Sequence, residues 1–391
     1  MQVAEEPGWV DALLGPRGRE LLERLAGEPL TRDAEIRVIT QLRGEYPAEL
    51  VTAAVTQAKL RARARAKFAR ADHMLFTADG LEQASTEAMS RNHARRYAGV
   101  ERVADLCCGI GGELISLAAN SAVLAVDYDP VHIRLACFNA EANGVGERVE
   151  CVQADVREVG LDGIGAAFVD PARRAGGKRL GPGASDPPLE WCFALAERMP
   201  VGIKASPALP LELVPPGWEV EFASEHGELK ESVLWSPALA TTGRRATLLP
   251  DGHTLVREEG DEVPVRAPGG WLLDPDPAVT RSGAVEALAR SLGVWKIDEQ
   301  IAFLSGDAGV RTPFARTLKI EASAPWNLKH LRQRLREMDI GTVDIRKRGS
   351  AVDVDEVHRK LKLAGSRAAT VVLTRVADRP WMLVCTDPPP G

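Results

Sequence analysis

The residues best suited to do chemistry lie in one short stretch, Asp105-Leu-Cys-Cys-Gly-Ile-Gly-Gly-Glu113. Glycines at 109, 111 and 112 carry no Cβ, so a ligand can approach the backbone closely there. A glycine loop alone is weak, because a structural tight turn needs glycines too. Two details narrow the ligand. A dinucleotide loop of the Gly-x-Gly-x-x-Gly type would want a third glycine where Leu114 stands. Asp105, at the end of the preceding apolar run, would also repel a phosphate. An acidic loop suits a cation without phosphates, and S-adenosylmethionine carries a sulfonium and an α-ammonium group. Cys107, Gly109 and Gly111 would then line the cofactor, and Asp105 would accept from its ammonium, directly or through water.

Two further acids follow in register with this idea. Asp127 ends the next apolar run, where a carboxylate can take both ribose hydroxyls, with Tyr128 beside it. That spacing alone fits a nicotinamide site equally well. Asp155, in Gln-Ala-Asp-Val, stands where an acid can accept from the adenine amino group. Any one of these aspartates could be a helix cap or a loop residue. Three of them at successive strand ends, on the rim where such sheets bind ligands, point to S-adenosylmethionine.

A fourth run ends in Asp170-Pro171-Ala-Arg173-Arg174. Asp170 is the candidate acceptor or orienter of a substrate proton. Lys204, at the end of a fifth run, either orients a substrate, pairs with Asp170 or is a plain surface lysine. Arg173, Arg174 and Lys178 surround Gly176-Gly177 and suit either a loop that clamps phosphates or a surface loop. Six cysteines include no Cys-x-x-Cys pair, so neither a zinc site nor a disulfide framework is expected, and a reducing compartment fits best.

Elements must place these side chains together. Residues 1–70 read as helical, ending in the basic run KLRARARAKFAR, which is either a solvated helix surface or a phosphate-facing patch. From residue 100, apolar runs at 102–107, 122–127, 149–154, 166–170, 201–206, 218–224 and 232–235 alternate with helical stretches through the fifth. That is the pattern of a doubly wound α/β sheet closed by a hairpin. A small hairpin centres on Asp251-Gly252, and Asp274-Pro-Asp-Pro277 leads into a helix near 282–292. The last segment alternates strand 317–321, helix 328–338, strand 342–346, helix 354–363 and strands 369–375 and 381–385.

The order DLCCGIGGE, AVDYD, QADV and FVDPARR resembles the class I S-adenosylmethionine-dependent methyltransferases. The likeness extends upstream to Phe76-Thr-Ala-Asp-Gly-Leu-Glu-Gln83-Ala-Ser85 and downstream through IKASPALP, LLDPDPAV and IRKRG…LKLAG…VVLTR. This layout is similar to that of bacterial methyltransferases with a THUMP-like C-terminal domain, over most of residues 70–386. It implies a Rossmann-like seven-stranded core, a helical N-terminal region and a small α/β THUMP-like domain. It also implies cofactor contacts from Phe76 and Ser85, whose segment closes over the methionine end.

At the fourth strand, many base-amino methyltransferases carry Asp/Asn-Pro-Pro-aromatic. Here Ala172 and Arg173 replace the last two, which looks more like the Asp-Pro-x-Arg of uridine C5-methyltransferases. Those enzymes need a nucleophilic cysteine from the next strand region, and Gly202-Ile-Lys-Ala-Ser-Pro207 has none. Direct in-line transfer to nitrogen or oxygen remains, with Asp170, Pro171 and Lys204 at the reacting centre. THUMP domains bind structured RNA, so the likeness implies an RNA partner (tRNA or rRNA) docked by Arg346, Lys347 and Arg348.

Charge supports a division of labour. The net charge is −6, yet residues 1–100 carry +1, residues 101–315 carry −13 and residues 316–391 carry +6. The basic tail suits a phosphate backbone, and with 5% aromatics overall, shape recognition is favoured over base stacking. The N-terminus lacks an apolar signal segment and no run is long enough to span a bilayer, so the expected location is the cytoplasm. The expected segments are 1–70 helical, 71–240 the methyltransferase core, 241–313 a connector and 314–391 the RNA-docking domain. Alternatives are a small-molecule or protein methyltransferase and a non-catalytic S-adenosylmethionine-binding module. A nicotinamide oxidoreductase is disfavoured by Leu114 and Asp155.

Overall fold

A computed structural model describes residues 8–26, 32–172, 174–175, 178–179, 181 and 183–388. The chain divides into two compact units. The first comprises Met1–Trp218 and Val233–Ala240, and the second Glu219–Ser232 and Thr241–Gly391.

In the first unit, five strands run parallel: β1 (Arg102–Leu106), β2 (Ala122–Asp127), β3 (Val149–Gln153), β4 (Ala166–Val169) and β5 (Val201–Ala205). Their order is β3-β2-β1-β4-β5. β4 and β5 are buried along their whole length, which is why they read as unbroken apolar runs. Because all five are parallel, their C-terminal ends share one rim, and the sequence puts an acid at or just past four of them. Beyond β5 lies the Val233–Trp235 end of a further strand, and Ser236 donates its amide to the Val201 carbonyl at 2.9 Å.

Helices α1 (Gly8–Leu14), α2 (Pro16–Arg24), α3 (Arg32–Leu42) and α4 (Ala48–Ala64) precede the sheet. They are followed by α5 (Ala78–Gln83), α6 (Glu87–Ala94), α7 (Gly112–Ala118), α8 (Pro130–Ala142) and α9 (Leu189–Leu195). Leu13, Leu21, Val51 and Val55 form a core that also takes in Phe68, Phe76, Ile110 of the glycine loop and Leu135 of α8. Each such buried side chain contributes about 1.5–3 kcal/mol relative to exposure. The N-terminal helices therefore support the glycine loop directly.

Part of the basic run at the end of α4 is spent inside this unit, while Arg63 and Arg70 are exposed. Arg61 donates to the Met74 carbonyl at 2.8 Å, Arg65 pairs with Asp72, and Lys67 Nζ caps the carbonyls of Leu81, Glu82 and Ala84 at 2.7–3.0 Å. Cys137 of α8 and Cys151 of β3 lie side by side with Cα atoms 6.3 Å apart, a proximity for which the sequence offers no signal, while Cys107, Cys108, Cys192 and Cys385 stand apart as free thiols.

The second unit opens with a hairpin. β6 (Glu219–Glu225) turns through His226-Gly227, both at positive φ, into the Glu228–Ser232 part of β7 (Glu228–Trp235). All seven strands anticipated from the apolar runs are thus present. β8 (Arg244–Leu249) adds to β6 in parallel, and β9 (His253–Val256) pairs antiparallel with β8 across the Asp251-Gly252 turn, as that dipeptide suggests.

A separate sheet contains β10 (Trp271–Pro275), β11 (Trp295–Lys296), β12 (Leu304–Gly306), β13 (Ala315–Pro325), β14 (Ile340–Lys347), β15 (Arg367–Val376) and β16 (Arg379–Thr386), in the order β11-β12-β10-β13-β16-β15-β14. The Asp274 stretch is therefore a strand, where the residue pattern suggests only a lead-in to a helix. The helix near 282–292 is two: α10 (Pro277–Ser282) and α11 (Val285–Leu292), divided at Gly283 in the left-handed region. Leu331 and Leu335 of α12 (Leu328–Glu337) and Val357 and Leu361 of α13 (Val354–Leu361) pack on Val371, Leu373, Met382 and Val384. Val372, Leu383 and Cys385 face the other way, onto Leu272, Ile297 and Phe303. The alternation of Val371 and Val372 is the period-two pattern of a strand covered on both faces.

Candidate active site

Asp105 lies within β1 and is fully buried. Among the described residues neither carboxylate oxygen has a hydrogen-bond partner. Burial, then the charges of Glu113, Asp170 and Asp127, push its carboxyl well above the usual carboxylate range. Only the backbone amide of Leu114 pulls the other way, and so weakly held a buried acid is costly unless a stronger partner arrives, which is what a ligand's ammonium supplies.

The loop after Asp105 is bent for a ligand. Cys107, Gly109 and Gly111 all have positive φ, and Cys107 is the residue that tolerates this least. A side chain at Gly111 would be strained, since its φ is positive and a Cβ there would meet Leu114 Cδ2 at 3.0 Å and the Ala136 Cα at 3.2 Å. Gly109 faces open space, with no atom within 4 Å of where its Cβ would be. The loop is therefore packed on one side and open on the other.

Asp127 ties this loop to the second strand. Its Oδ2 accepts from the Gly109 amide at 2.8 Å and its Oδ1 from the Asp129 amide at 3.0 Å. Burial raises its carboxyl above the ordinary value, and those two amides pull it back down. A carboxylate so oriented still has lone pairs for two hydroxyls. Tyr128, next in sequence, is 70% exposed, and presents an aromatic ring on the rim. Asp155 is engaged differently: its Oδ1 accepts from the Arg157 amide at 2.9 Å and from Arg157 Nε at 2.8 Å. The Arg157 contacts hold its carboxyl below the usual range.

Asp170 and Lys204 meet, one of the three roles open to the lysine from the sequence. Lys204 Nζ lies 2.8 Å from Asp170 Oδ2 and 3.3 Å from the Gln83 carbonyl. The lysine side chain is 3% exposed and the aspartate 27%. Lys204 therefore links the end of β4 to α5. Pro171 is buried, and Ala172 exchanges two backbone hydrogen bonds with Asp186 at 2.8 and 2.9 Å, fixing the strand's exit. Cys192 is fully buried and its thiol is pushed up to about 12 by burial, so it is no nucleophile.

The segment carrying Phe76 and Ser85 packs against the glycine loop, though Phe76 itself is wholly buried, its ring 5.9 Å from that of Phe68. A Cβ on Gly80 would strike Ile110 Cγ2 at 2.5 Å, and one on Gly112 would meet Ala84 Cβ at 3.4 Å and the Ser85 carbonyl at 3.8 Å. Two amide side chains that the sequence did not single out hold this segment. Gln57 exchanges hydrogen bonds with the Phe76 backbone, and Asn139 Nδ2 bridges the Leu75 and Ile110 carbonyls at 2.9 Å. Arg173 lies outside the described residues, and Arg174 and Lys178 are described only by their backbone pairing in a two-stranded ribbon.

The buried Asp105 and the open glycine loop fit the ammonium and methionine end of S-adenosylmethionine, and Asp127 fits its ribose. The comparisons agree. An uncharacterised S-adenosylmethionine-dependent methyltransferase of Mycobacterium tuberculosis is 37% identical over 323 residues, covering 77% of this chain and 85% of the relative, and the sequence from a second strain matches equally. The chain belongs to the S-adenosylmethionine-dependent methyltransferases. Its cofactor is S-adenosylmethionine.

Residues 315–387 of the methyltransferase match the THUMP-like domain family, residues 100–180 match the RNA cap guanine-N2 methyltransferase family, and residues 9–64 match a domain of unknown function. A proposed methyltransferase of Porphyromonas gingivalis W83 shares the fold at a TM-score of 0.77 and 20% identity, covering 98% of this chain and 99% of that one. No helix among the described residues is long and apolar enough to cross a membrane, and no group of three or more potential metal ligands is clustered there.

In the THUMP-like domain of the methyltransferase, the three basic residues at the end of β14, Arg346 and Lys347 within it and Arg348 just past it, are not equivalent. Arg346 Nη1 reaches Asp274 Oδ2 at 2.7 Å, and Arg348 Nη2 lies 3.0 Å from Asp274 Oδ1 and 3.2 Å from the Pro275 carbonyl. Asp274 is buried, so both arginines clamp β14 to β10. Lys347 is exposed, donating to the Val352 carbonyl at 3.2 Å. Lys329 and Arg336 on α12 and Lys360 and Lys362 at the end of α13 are also exposed.

Proposed function

We propose that this methyltransferase modifies a base in structured RNA, a tRNA or rRNA, by direct in-line transfer to nitrogen or oxygen. The observation that carries the reading is the Asp170–Lys204 pair on the rim that also holds Asp105 and Asp127. When bound, S-adenosylmethionine supplies a methyl group on a sulfonium. The chain's own residues then bind the cofactor, shape its pocket and handle the substrate proton. Asp105 takes the ammonium, the open face at Gly109 admits the cofactor, and Asp127 takes the ribose. Tyr128 offers a ring for the adenine to stack on, and Asp155 bounds that end of the site. Asp170 accepts the substrate N–H or O–H proton, and Lys204, 2.8 Å from its Oδ2, keeps the carboxylate aimed. Phe76 and Ser85 shape the methionine end, and Pro171 stiffens the strand exit.

RNA as the substrate is supported by the likenesses of residues 315–387 and 100–180 and by the basic tail. We assign docking to the segment 314–391, with Lys347 reaching phosphates and Arg346 and Arg348 shaping the surface around it, and a supporting role to Arg173, Arg174 and Lys178. Segments 1–70, 71–240 and 241–313 serve as helical support, catalytic core and connector. The test is transfer of labelled methyl from S-adenosylmethionine to total RNA by the purified protein and its Asp170→Ala variant. The reading expects RNA labelling that Asp170→Ala reduces about 10²-fold or more, in line with loss of a general base. Labelling of RNA by the variant at the wild-type rate overturns the role of Asp170.

A further inference from the structure

Beneath the glycine loop lies a buried pair that the mechanism above does not use. Glu113, on α7, places Oε2 3.1 Å from Nδ1 of His93, on α6. Both side chains are buried. His93 stacks on Phe168 with ring centroids 5.3 Å apart and meets the edge of Trp235 at 6.2 Å. Phe168 is the β4 residue in register with Asp105 of β1. Partners in register on neighbouring strands point to the same face of the sheet. The pair therefore stands beside Asp105, the acid assigned to the cofactor's ammonium.

The charges around Asp105 are one-sided. Glu113 faces it from α7, Asp170 from the end of β4 and Asp127 from the end of β2. Lys204 is paired with Asp170. Tyr97, just after α6, spends its hydroxyl on the Ala167 carbonyl at 2.9 Å. Arg96 lies over the Trp235 ring at 5.1 Å and donates to the Leu239 carbonyl. The thiols of Cys107 and Cys108 are pushed up by burial and stay neutral. A proton on His93 would cancel the charge of Glu113 within this low-dielectric patch.

We infer that His93 and Glu113 act as a positioning pair, His93 carrying a proton that neutralises Glu113 and so leaves Asp105 ionised to receive the cofactor's ammonium. The inference rests on the assignment of Asp105, and the experiment separates the two. Titration calorimetry across neutral pH would compare two probes on the full chain. S-adenosylhomocysteine has the ammonium, and methylthioadenosine lacks the amino-acid end.

His93→Gln removes the charge but can still hydrogen-bond Glu113. It should weaken S-adenosylhomocysteine about tenfold for each unit by which the Asp105 carboxyl rises. The proton and the ammonium compete for Asp105, so the loss is greatest on the acid side and vanishes as pH rises. Methylthioadenosine binding should not change, and the double variant His93→Gln/Glu113→Gln should restore the wild-type ratio of the two affinities. If His93→Gln does not fold, His93→Asn, which likewise removes the charge, should give the same acid-side loss of S-adenosylhomocysteine affinity. An unchanged ratio and pH profile in the His93 variant overturns the pair's role. An unchanged ratio in Asp105→Asn overturns the assignment of Asp105 itself.

Discussion

Replacing Lys204 by methionine tests how the rim is held together. The substitution keeps most of the buried stem and removes one ammonium. Asp170 loses its 2.8 Å partner and the Gln83 carbonyl its 3.3 Å donor. A hydrogen bond to a charged group is worth about 1.5–3 kcal/mol and a long neutral-acceptor one about 0.5 kcal/mol. Asp170 is 27% exposed, so water partly replaces the missing ammonium. The expected destabilisation is therefore about 2 kcal/mol. In a unit of this size that lowers Tm by about 4–8 °C.

The effect on turnover should be larger than the effect on folding. A carboxylate freed from its lysine no longer points at the acceptor, and a displacement of about 1 Å is enough to cost about 10²-fold in rate. In the proposed site, cofactor binding rests mainly on Asp105, Asp127 and the glycine loop, so the S-adenosylmethionine Kd should change by less than about fivefold, or about 1 kcal/mol. Thermal scans, calorimetry and single-turnover methyl transfer on the same preparation provide the three numbers. A variant with wild-type turnover, or one whose turnover loss is matched by an equal loss of cofactor affinity, refutes the assignment of Lys204 to Asp170.

Other outcomes follow from the same geometry. Asp127→Asn puts an amide where one of two backbone N–H groups now bonds a carboxylate, and should weaken S-adenosylmethionine by about 10–10²-fold in calorimetry, since each such bond is worth about 1.5–3 kcal/mol. Asp105 has a raised pKa in the fold, so its contribution to stability is greatest below its ordinary value of 3.8 and is lost as pH rises toward the folded value. Asp105→Asn should accordingly raise the Tm of the cofactor-free protein at neutral pH, with the gain fading as pH falls toward 3.8; a loss of Tm at neutral pH contradicts this. Replacing Lys329, Arg336 and Lys347 together by alanine should flatten the salt dependence of RNA binding, by up to about 0.7–0.9 in log–log slope for each phosphate that is no longer neutralised. An unaltered slope would remove these residues from the interface.

Much of the catalytic core is legible in the residue order because parallel strands buried on both faces leave unbroken apolar runs. Asp127 and Asp170 close such runs, Asp105 sits one residue inside the end of another, and Asp155 follows the half-exposed β3, so their shared rim could be foreseen. Tertiary pairings could not. Arg61 and Lys67 look like part of a basic patch, yet they turn onto the Met74 and Leu81–Ala84 carbonyls. Arg346 and Arg348 look like a phosphate clamp, and their ion pair with Asp274 spans 72 positions in the case of Arg346. The strand Trp271–Pro275 is hidden because only three of its residues are apolar and proline ends it. Gln57, Asn139 and the Glu113–His93 pair act through partners far away in sequence, and local periodicity carries no trace of that.

The central claim is that an RNA base is the methyl acceptor. Nucleosides from the rRNA and tRNA of a deletion strain, compared with the parent by mass spectrometry, test it most directly. The account predicts that one N- or O-methylated nucleoside disappears, returns with the wild-type gene and does not return with Asp170→Ala. Identical nucleoside profiles in the two strains would contradict it.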